Sequence, residues 1–222
     1  MVYFVSGIDT GIGKSYATGM IARYLAKQGR RVITQKLVQT GNEGYSEDIA
    51  VHRRVMACGY LPEDHEGLTS PEVFKFPASP HLAAELEERE VDLEKIRRAT
   101  VELSKRYDTV LLEGAGGLAV PLTREMLTID YAAREGYPVI LVTSGRLGSI
   151  SQTILALEAL VRRNMALAGV VFNLADPADP VIARDAKKVI REAVRKLGRV
   201  PVLVEMGVYE ENGPTPDFSA LF

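Results

Sequence analysis

The sequence predicts a single α/β domain whose parallel sheet is covered by helices on both faces. Three observations lead there. Short apolar runs of β-branched character alternate with segments of helical period, the mark of strand-helix-strand units. The runs are apolar throughout, as strands buried on both sides require, where a half-exposed strand would alternate. The first run also passes directly into a glycine-rich turn that ends in Gly13-Lys14-Ser15 and opens a helix.

In chain order, residues 2–6 are expected to form the first strand and 16–28 the first helix. A strand at 31–36 and a helix at 49–57 follow. Residues 59–80 contain Pro62, Pro71, Pro77 and Pro80 and no clean period, so an ordered loop over the sheet edge is expected there. A helix at 93–106 precedes a strand at 109–113. The second half repeats the pattern: strand 139–143, helix 151–163, strand 168–173, helix 181–196 and a further strand at 200–204. From about residue 207 the chain reads as irregular, with Gly213-Pro214-Thr215-Pro216 in it.

The 222 residues suit one compact domain, 1–222, and 46% hydrophobic with 25% charged residues is an ordinary globular composition. Lysine and arginine number 27 against 29 acidic residues, a formal net charge of −2, which gives no global field to gather nucleic acid or an anionic membrane. A small-molecule substrate is expected instead. Cys58 is the single cysteine and has no internal partner, which suits a reducing compartment. The opening run from Met1 to Ser6 is too short and lacks the basic flank of a signal peptide, and no stretch nears the roughly 18 apolar residues of a spanning helix. A cytoplasmic, unanchored protein is the expectation.

Gly7-Ile8-Asp9-Thr10-Gly11-Ile12-Gly13-Lys14-Ser15 lies between the first strand and the first helix. In such a P-loop, successive backbone N–H groups face one anion, the helix start adds partial positive charge, and the lysine reaches the outer phosphates. Five residues separate Gly7 from Gly13 where the strict pattern has four, so this is a variant loop. Ser15 would offer its hydroxyl to Mg²⁺.

A metal-side carboxylate is expected at the end of a neighbouring strand, and Glu113, followed by Gly114-Ala115-Gly116-Gly117, supplies it. Ser46-Glu47-Asp48 precedes a helical segment, so Asp48 reads either as an N-cap or as a second metal carboxylate. Ser15, Asp48 and Glu113 make a sensible Mg²⁺ set, because that ion commonly keeps one or two carboxylates plus nucleotide oxygens.

Together with Lys36-Leu37-Val38-Gln39-Thr40-Gly41, Ser79-Pro80-His81 and Glu113-Gly114-Ala115-Gly116-Gly117, these segments resemble the dethiobiotin synthase family over about residues 2–150, and again at 169–173. The resemblance implies a P-loop NTPase-like fold and a homodimeric ligase with substrate near the subunit interface. It implies that 7,8-diaminopelargonic acid, CO₂ and ATP give dethiobiotin through a carbamate and a carbamic-phosphoric anhydride. It assigns Lys14 to the β/γ-phosphates and Lys36 to the space between carbamate and γ-phosphate. ATP would meet Asp9, Thr10, Gly11, Ile12, Gly13, Lys14, Ser15, Tyr16, Glu113 and Asn173. Substrate would meet Thr10, Lys36, Thr40, Gly116, Gly148 and Ser149.

Several of these positions carry a second reading. Ser149 suits a helix cap as well as a carboxylate contact, and Asn173 a turn as well as adenine. His81 is either loop-ordering or substrate-side. Leu37 stands where the family mostly has proline, Ser15 where threonine is usual, Arg146 where lysine is common, and Ser151 where asparagine often follows. The rival reading is a regulatory ATPase of the partition and septum-positioning type. Those proteins carry a signature lysine five residues before the P-loop lysine, where this chain has Asp9.

Overall fold

The structure is a computed structural model that describes residues 1–198 and 202–222. In chain order its elements are β1 (Val2–Gly7), α1 (Lys14–Lys27), β2 (Val32–Lys36), β3 (Gln39–Thr40), α2 (Glu47–Met56), α3 (Pro62–His65), β4 (Val73–Phe74) and α4 (Pro80–Leu86). Then come α5 (Leu93–Arg106), β5 (Thr109–Gly117), α6 (Thr128–Arg134), β6 (Val139–Ser144), α7 (Ser149–Arg162), β7 (Leu167–Asn173), α8 (Pro180–Lys196) and β8 (Leu203–Met206). A 3₁₀ turn at Ser219–Leu221 follows.

Six strands form one parallel sheet in the order β2-β5-β1-β6-β7-β8. Because side chains alternate along a strand, neighbours in sequence enter different cores. Phe4, Leu112, Leu141 and Phe172 face α4 to α8 and pack with Ala83, Ile96, Ile129, Leu157 and Ile190. Val5, Leu111, Ile140 and Val171 face the other way, onto Ile21 and Leu25 of α1, Val55 of α2, and Phe218 and Leu221. Each buried Leu, Ile or Phe contributes roughly 1.5–3 kcal/mol.

Helix ends follow local chemistry. Asp92 caps α5 by accepting from the Lys95 N–H at 2.8 Å, Lys105 and Arg106 sit in its last turn, and Ile96, Ala99, Thr100 and Leu103 make its buried stripe. Ser46 caps α2 by accepting from the Ile49 N–H at 3.2 Å, which leaves Asp48 in the first turn with its carboxylate free for other work. Arg53 of the same helix holds Asp64 of α3 at 2.7 Å, both side chains buried.

The sheet and the five long helices match the expectation, with α1, α2 and α7 each starting two residues earlier than the apolar period alone suggests. The 59–80 segment differs from a plain loop. It contains α3, with Pro62 at its first turn, and β4, which pairs in parallel with β3 to form a second, two-stranded sheet. Elements α4 and α6, seven residues each, were also not expected, being too short to show a period. The last strand is Leu203–Met206, and residues 199–201, where the expected strand 200–204 would begin, lie outside the described residues.

Candidate functional site

The carboxyl ends of β1, β2 and β7 lie along one edge of the sheet, where Gly7, Lys36 and Asn173 stand, and Glu113 of β5, which continues to Gly117, is in register with Lys36. The phosphate loop rises from β1 into α1. Gly13 precedes the helix at φ +97°, and a Cβ on it would lie 2.5 Å from Asn173 Nδ2, so both backbone and space require glycine. Helix α1 has no side-chain cap and no acidic residue in its first turn, which leaves its N-terminal N–H groups for an anion. Lys14 Nζ donates to the Asp9 carbonyl at 2.8 Å, folding back over its own loop.

The register of the sheet makes the charged centre. Lys36 of β2 and Val5 of β1 are both register partners of Glu113, so the glutamate lies between the second strand and the phosphate-loop strand. Lys36 Nζ donates to Glu113 Oε1 at 2.8 Å, to the Gly114 carbonyl at 3.0 Å, and pairs with Asp48 Oδ2 at 2.6 Å. All three of its N–H donors are thereby committed. Ser15 Oγ lies 2.6 Å from Asp48 Oδ1 and 3.0 Å from Glu113 Oε1. His52 Nε2 lies 2.7 Å from Glu113 Oε2, with both side chains fully buried.

Burial would weaken these charges singly, and their pairing decides the outcome. Burial opposes the Lys36 ammonium, but the Glu113 and Asp48 carboxylates outweigh it and hold its pKa above the ordinary value. Burial likewise opposes ionised Glu113, and Lys36 with His52 holds its pKa well below the carboxylate range. Lys14 lacks such a partner: burial, with the Lys36 charge second, lowers it from 10.5 to about 8.

Other residues named from sequence are distributed around this centre. Thr10 Oγ1 would stand 3.6 Å from a Cβ on Gly116, and the backbone of Ile8 lies against Gly117, so the β5 turn and the phosphate loop touch. Gly11 is at the exposed tip, while Ile12 is buried. Asn173 Nδ2 donates to the Ile12 carbonyl at 2.9 Å and its Oδ1 accepts from the Ala175 N–H at 2.9 Å, so it braces the phosphate loop as well as turning its own. Thr40 closes β3, half-buried. Tyr16 is partly exposed; its hydroxyl accepts from Arg54 Nη2 at 3.2 Å, and its ring lies 6.0 Å from that of Tyr209.

Gly148, not Ser149, is the N-cap of α7, which again has no side-chain cap and no first-turn acid. The Ser149 hydroxyl is buried 3.1 Å from Ser144 Oγ, turned into the fold and away from solvent. Among the described residues no group of three or more His, Cys, Asp or Glu gathers as a metal cluster. A groove of about 580 Å³ between α7 and α8, lined by Ile154, Leu157, Val189, Ala193 and Leu197, is apolar and carries no catalytic constellation.

A family model described as an AAA domain matches residues 1–210. The ATP-dependent dethiobiotin synthetase BioD of Chlorobaculum tepidum is 51% identical over 91% of this chain and 85% of its own length. The BioD 2 enzyme of Pasteurella multocida is 47% identical over 88% of this chain and 92% of its own. The chain belongs to the ATP-dependent dethiobiotin synthetase family. A solved ParA family ATPase from Chlorobium tepidum TLS matches 95% of this chain and 85% of its own with a TM-score of 0.55 at 12% identity, a likeness of fold alone.

Two members of the centre carry no motif signal. His52 lies four residues after Asp48, so helical spacing alone places it on the same face of α2. Arg146 was noted as a departure from the family, without its pairing to Asp9 at 2.6 Å. No local signal reports that pairing, because its partners are 137 residues apart.

Proposed function

We propose that the protein is an ATP-dependent cyclo-ligase that converts 7,8-diaminopelargonic acid and CO₂ to dethiobiotin in biotin synthesis. The observation that carries the reading is Lys36, held buried by Asp48 and Glu113 beside the phosphate loop. One amine of the substrate takes up CO₂ and loses a proton to give a carbamate. The carbamate oxygen attacks the γ-phosphorus, breaking its bond to ADP. The second amine then attacks the carbonyl of the anhydride, expelling phosphate and closing the ring.

No side-chain nucleophile is needed. The protein's work is to bring two anions together in line and to offset the charge between them. Lys14 at the helix start is suited to the β- and γ-phosphates, and Lys36, on β2 with only β5 between it and the phosphate-loop strand, to the carbamate and γ-phosphate. Ser15, Asp48 and Glu113 offer hard oxygens within hydrogen-bond reach of one another, a donor set that fits Mg²⁺. Held there, Mg²⁺ would supply positive charge to the phosphates and take carboxylate charge away from Lys36. Lys36 would then have an N–H free for the substrate anions.

The substrate side is read at Thr10, Thr40 and Gly116, with the carboxylate tail at the start of α7, at Gly148; the Ser149 hydroxyl, buried against Ser144, would not reach it. A homodimer with substrate near the interface suits the exposed Leu147 and Leu155 of that region. A cytoplasmic location is the reading that suits a small-molecule biosynthetic enzyme; among the described residues no helix is long and apolar enough to cross a membrane.

The test is release of ADP and phosphate from MgATP and bicarbonate, with and without the diamine, in wild-type and Lys36→Ala proteins. Turnover that requires the diamine and collapses in the variant supports the ligase. Slow hydrolysis indifferent to the diamine would instead match the partition-type switch.

A further inference from the structure

We propose that His52 is a positioning residue for the carboxylate of Glu113: its ring N–H holds Oε2 and so turns Oε1 toward Ser15 and Lys36. The inference rests on the reading of Ser15, Asp48 and Glu113 as the metal-side group. Glu113 Oε1 lies 3.0 Å from Ser15 Oγ and 2.8 Å from Lys36 Nζ, while Oε2 has His52 Nε2 at 2.7 Å. The two oxygens of one carboxylate therefore face different partners, and among the described residues the histidine alone holds the inner one.

Burial keeps the ring from a substrate in solvent. His52 is fully buried, and its Nδ1 has no hydrogen-bond partner among the described residues. With the proton on Nε2, the ring gives its one N–H to Glu113 and leaves Nδ1 a bare acceptor. The opposite tautomer would set a lone pair against a carboxylate and bury an unpaired N–H, which is the costlier arrangement.

The backbone is built for this contact. Asp48 and His52 project from one face of α2, one turn apart, so the helix delivers a carboxylate to the rim of the centre and an imidazole to its floor. Helix α1 lets α2 come close: a Cβ on Gly19 would lie 2.7 Å from Val55 Cβ and 3.4 Å from His52 Cα. Without the ring, Glu113 Oε2 would be a buried carboxylate oxygen lacking a donor, and the carboxylate would rotate to share Lys36 between its two oxygens.

The experiment compares wild-type, His52→Leu, His52→Gln and Glu113→Gln full-length proteins. Mn²⁺ binding in the presence of ADP, followed by electron paramagnetic resonance, reads the site without turnover; a Mg²⁺ titration of turnover accompanies it. We expect His52→Leu to weaken Mn²⁺ binding roughly 10-fold or more, the usual effect of removing a residue that orients a metal ligand. Its kcat falls while the KM for the diamine stays. His52→Gln, which returns an N–H donor, recovers most of the affinity.

Mn²⁺ affinity in His52→Leu equal to wild type, or no better in His52→Gln than in His52→Leu, overturns the proposal. Should the leucine variant not fold, His52→Gln is compared with His52→Asn, whose amide falls short of Glu113; equal affinities overturn the proposal and a weaker asparagine variant supports it. If Glu113→Gln itself binds Mn²⁺ and ADP as wild type does, the metal-side reading fails and takes the proposal with it. Loss in Glu113→Gln with no change in His52→Leu sinks the role of His52 alone.

Discussion

Arg146 Nη2 donates to Asp9 Oδ2 at 2.6 Å, joining the loop after β6 to the phosphate loop, and its Nε lies 3.7 Å from Asp176 Oδ2 in the loop after β7. Asp9 Oδ1 also accepts from the Thr10 N–H at 2.7 Å, so one carboxylate ties the loop's own backbone to a distant cation. Arg146→Met removes that tie. The pair is partly exposed, so the stability loss is expected to be small, about 1 kcal/mol, in urea unfolding. The larger effect falls on the loop: the KM for MgATP rises several-fold while kcat at saturation changes less.

Lys36 bears on both fold and reaction. Lys36→Met is expected to lower kcat by roughly 10²–10³-fold, the scale of losing one positioned charge stabiliser. It also leaves Glu113 and Asp48 without their shared cation, at a cost of about 3 kcal/mol. Adding Glu113→Gln to Lys36→Met removes the stranded charge, so the double variant should be more stable than the two single effects summed. Urea midpoints of the three proteins check this coupling.

The pH dependence has opposite signs for function and for stability at Lys14. Its pKa falls from 10.5 to about 8 on folding, so between those values the unfolded chain binds more protons and the fold grows more stable as pH rises. The same loss of charge weakens the attraction for phosphates, so kcat/KM for MgATP should fall as pH climbs through about 8. Glu113, held low, contributes stability that is present above 4.5 and lost as the pH falls through its depressed value. Lys36, held high, contributes stability that is present below 10.5 and lost as the pH rises past its raised value. Thermal midpoints of wild type and Lys14→Met across the alkaline range separate the Lys14 effect from the pair.

Gly13→Ala places a methyl group 2.5 Å from Asn173 Nδ2 at a backbone φ of +97°. We expect loss of binding of a fluorescent ATP analogue and a destabilisation of about 2 kcal/mol, reflecting strain and the broken Asn173 to Ile12 bond. Gly13→Ala with Asn173→Ala relieves the clash but not the backbone strain. Recovery of full binding in the double variant would contradict this account.

Much of the fold was legible because its signals are local: apolar strands, helical periods, and a lysine after a glycine turn. Ser15 and Lys36 could be placed for the same reason, at the start of a helix and the end of a strand; Glu113 was placed as a strand end, although β5 runs on through it to Gly117. For Asp48 the cap reading fails, because Ser46 takes the cap of α2 and the Asp48 carboxylate contacts Ser15 and Lys36 instead. Residues 59–80 were misread because β3 and β4 have two residues each and exist only through each other. His52 and Arg146 escaped because their partners, Glu113 and Asp9, are brought near only by the sheet order.

That order also bears on how the protein is made. Val2 pairs with Val110 and Phe4 with Val139, so β1 is synthesised long before its sheet neighbours β5 and β6. Until then its apolar residues are exposed to chaperones or to misassociation. Pairings this distant slow the search for the folded state. Because β1 carries the phosphate loop, nucleotide affinity should arise late in synthesis, and a fragment of residues 1–106 should capture no ATP.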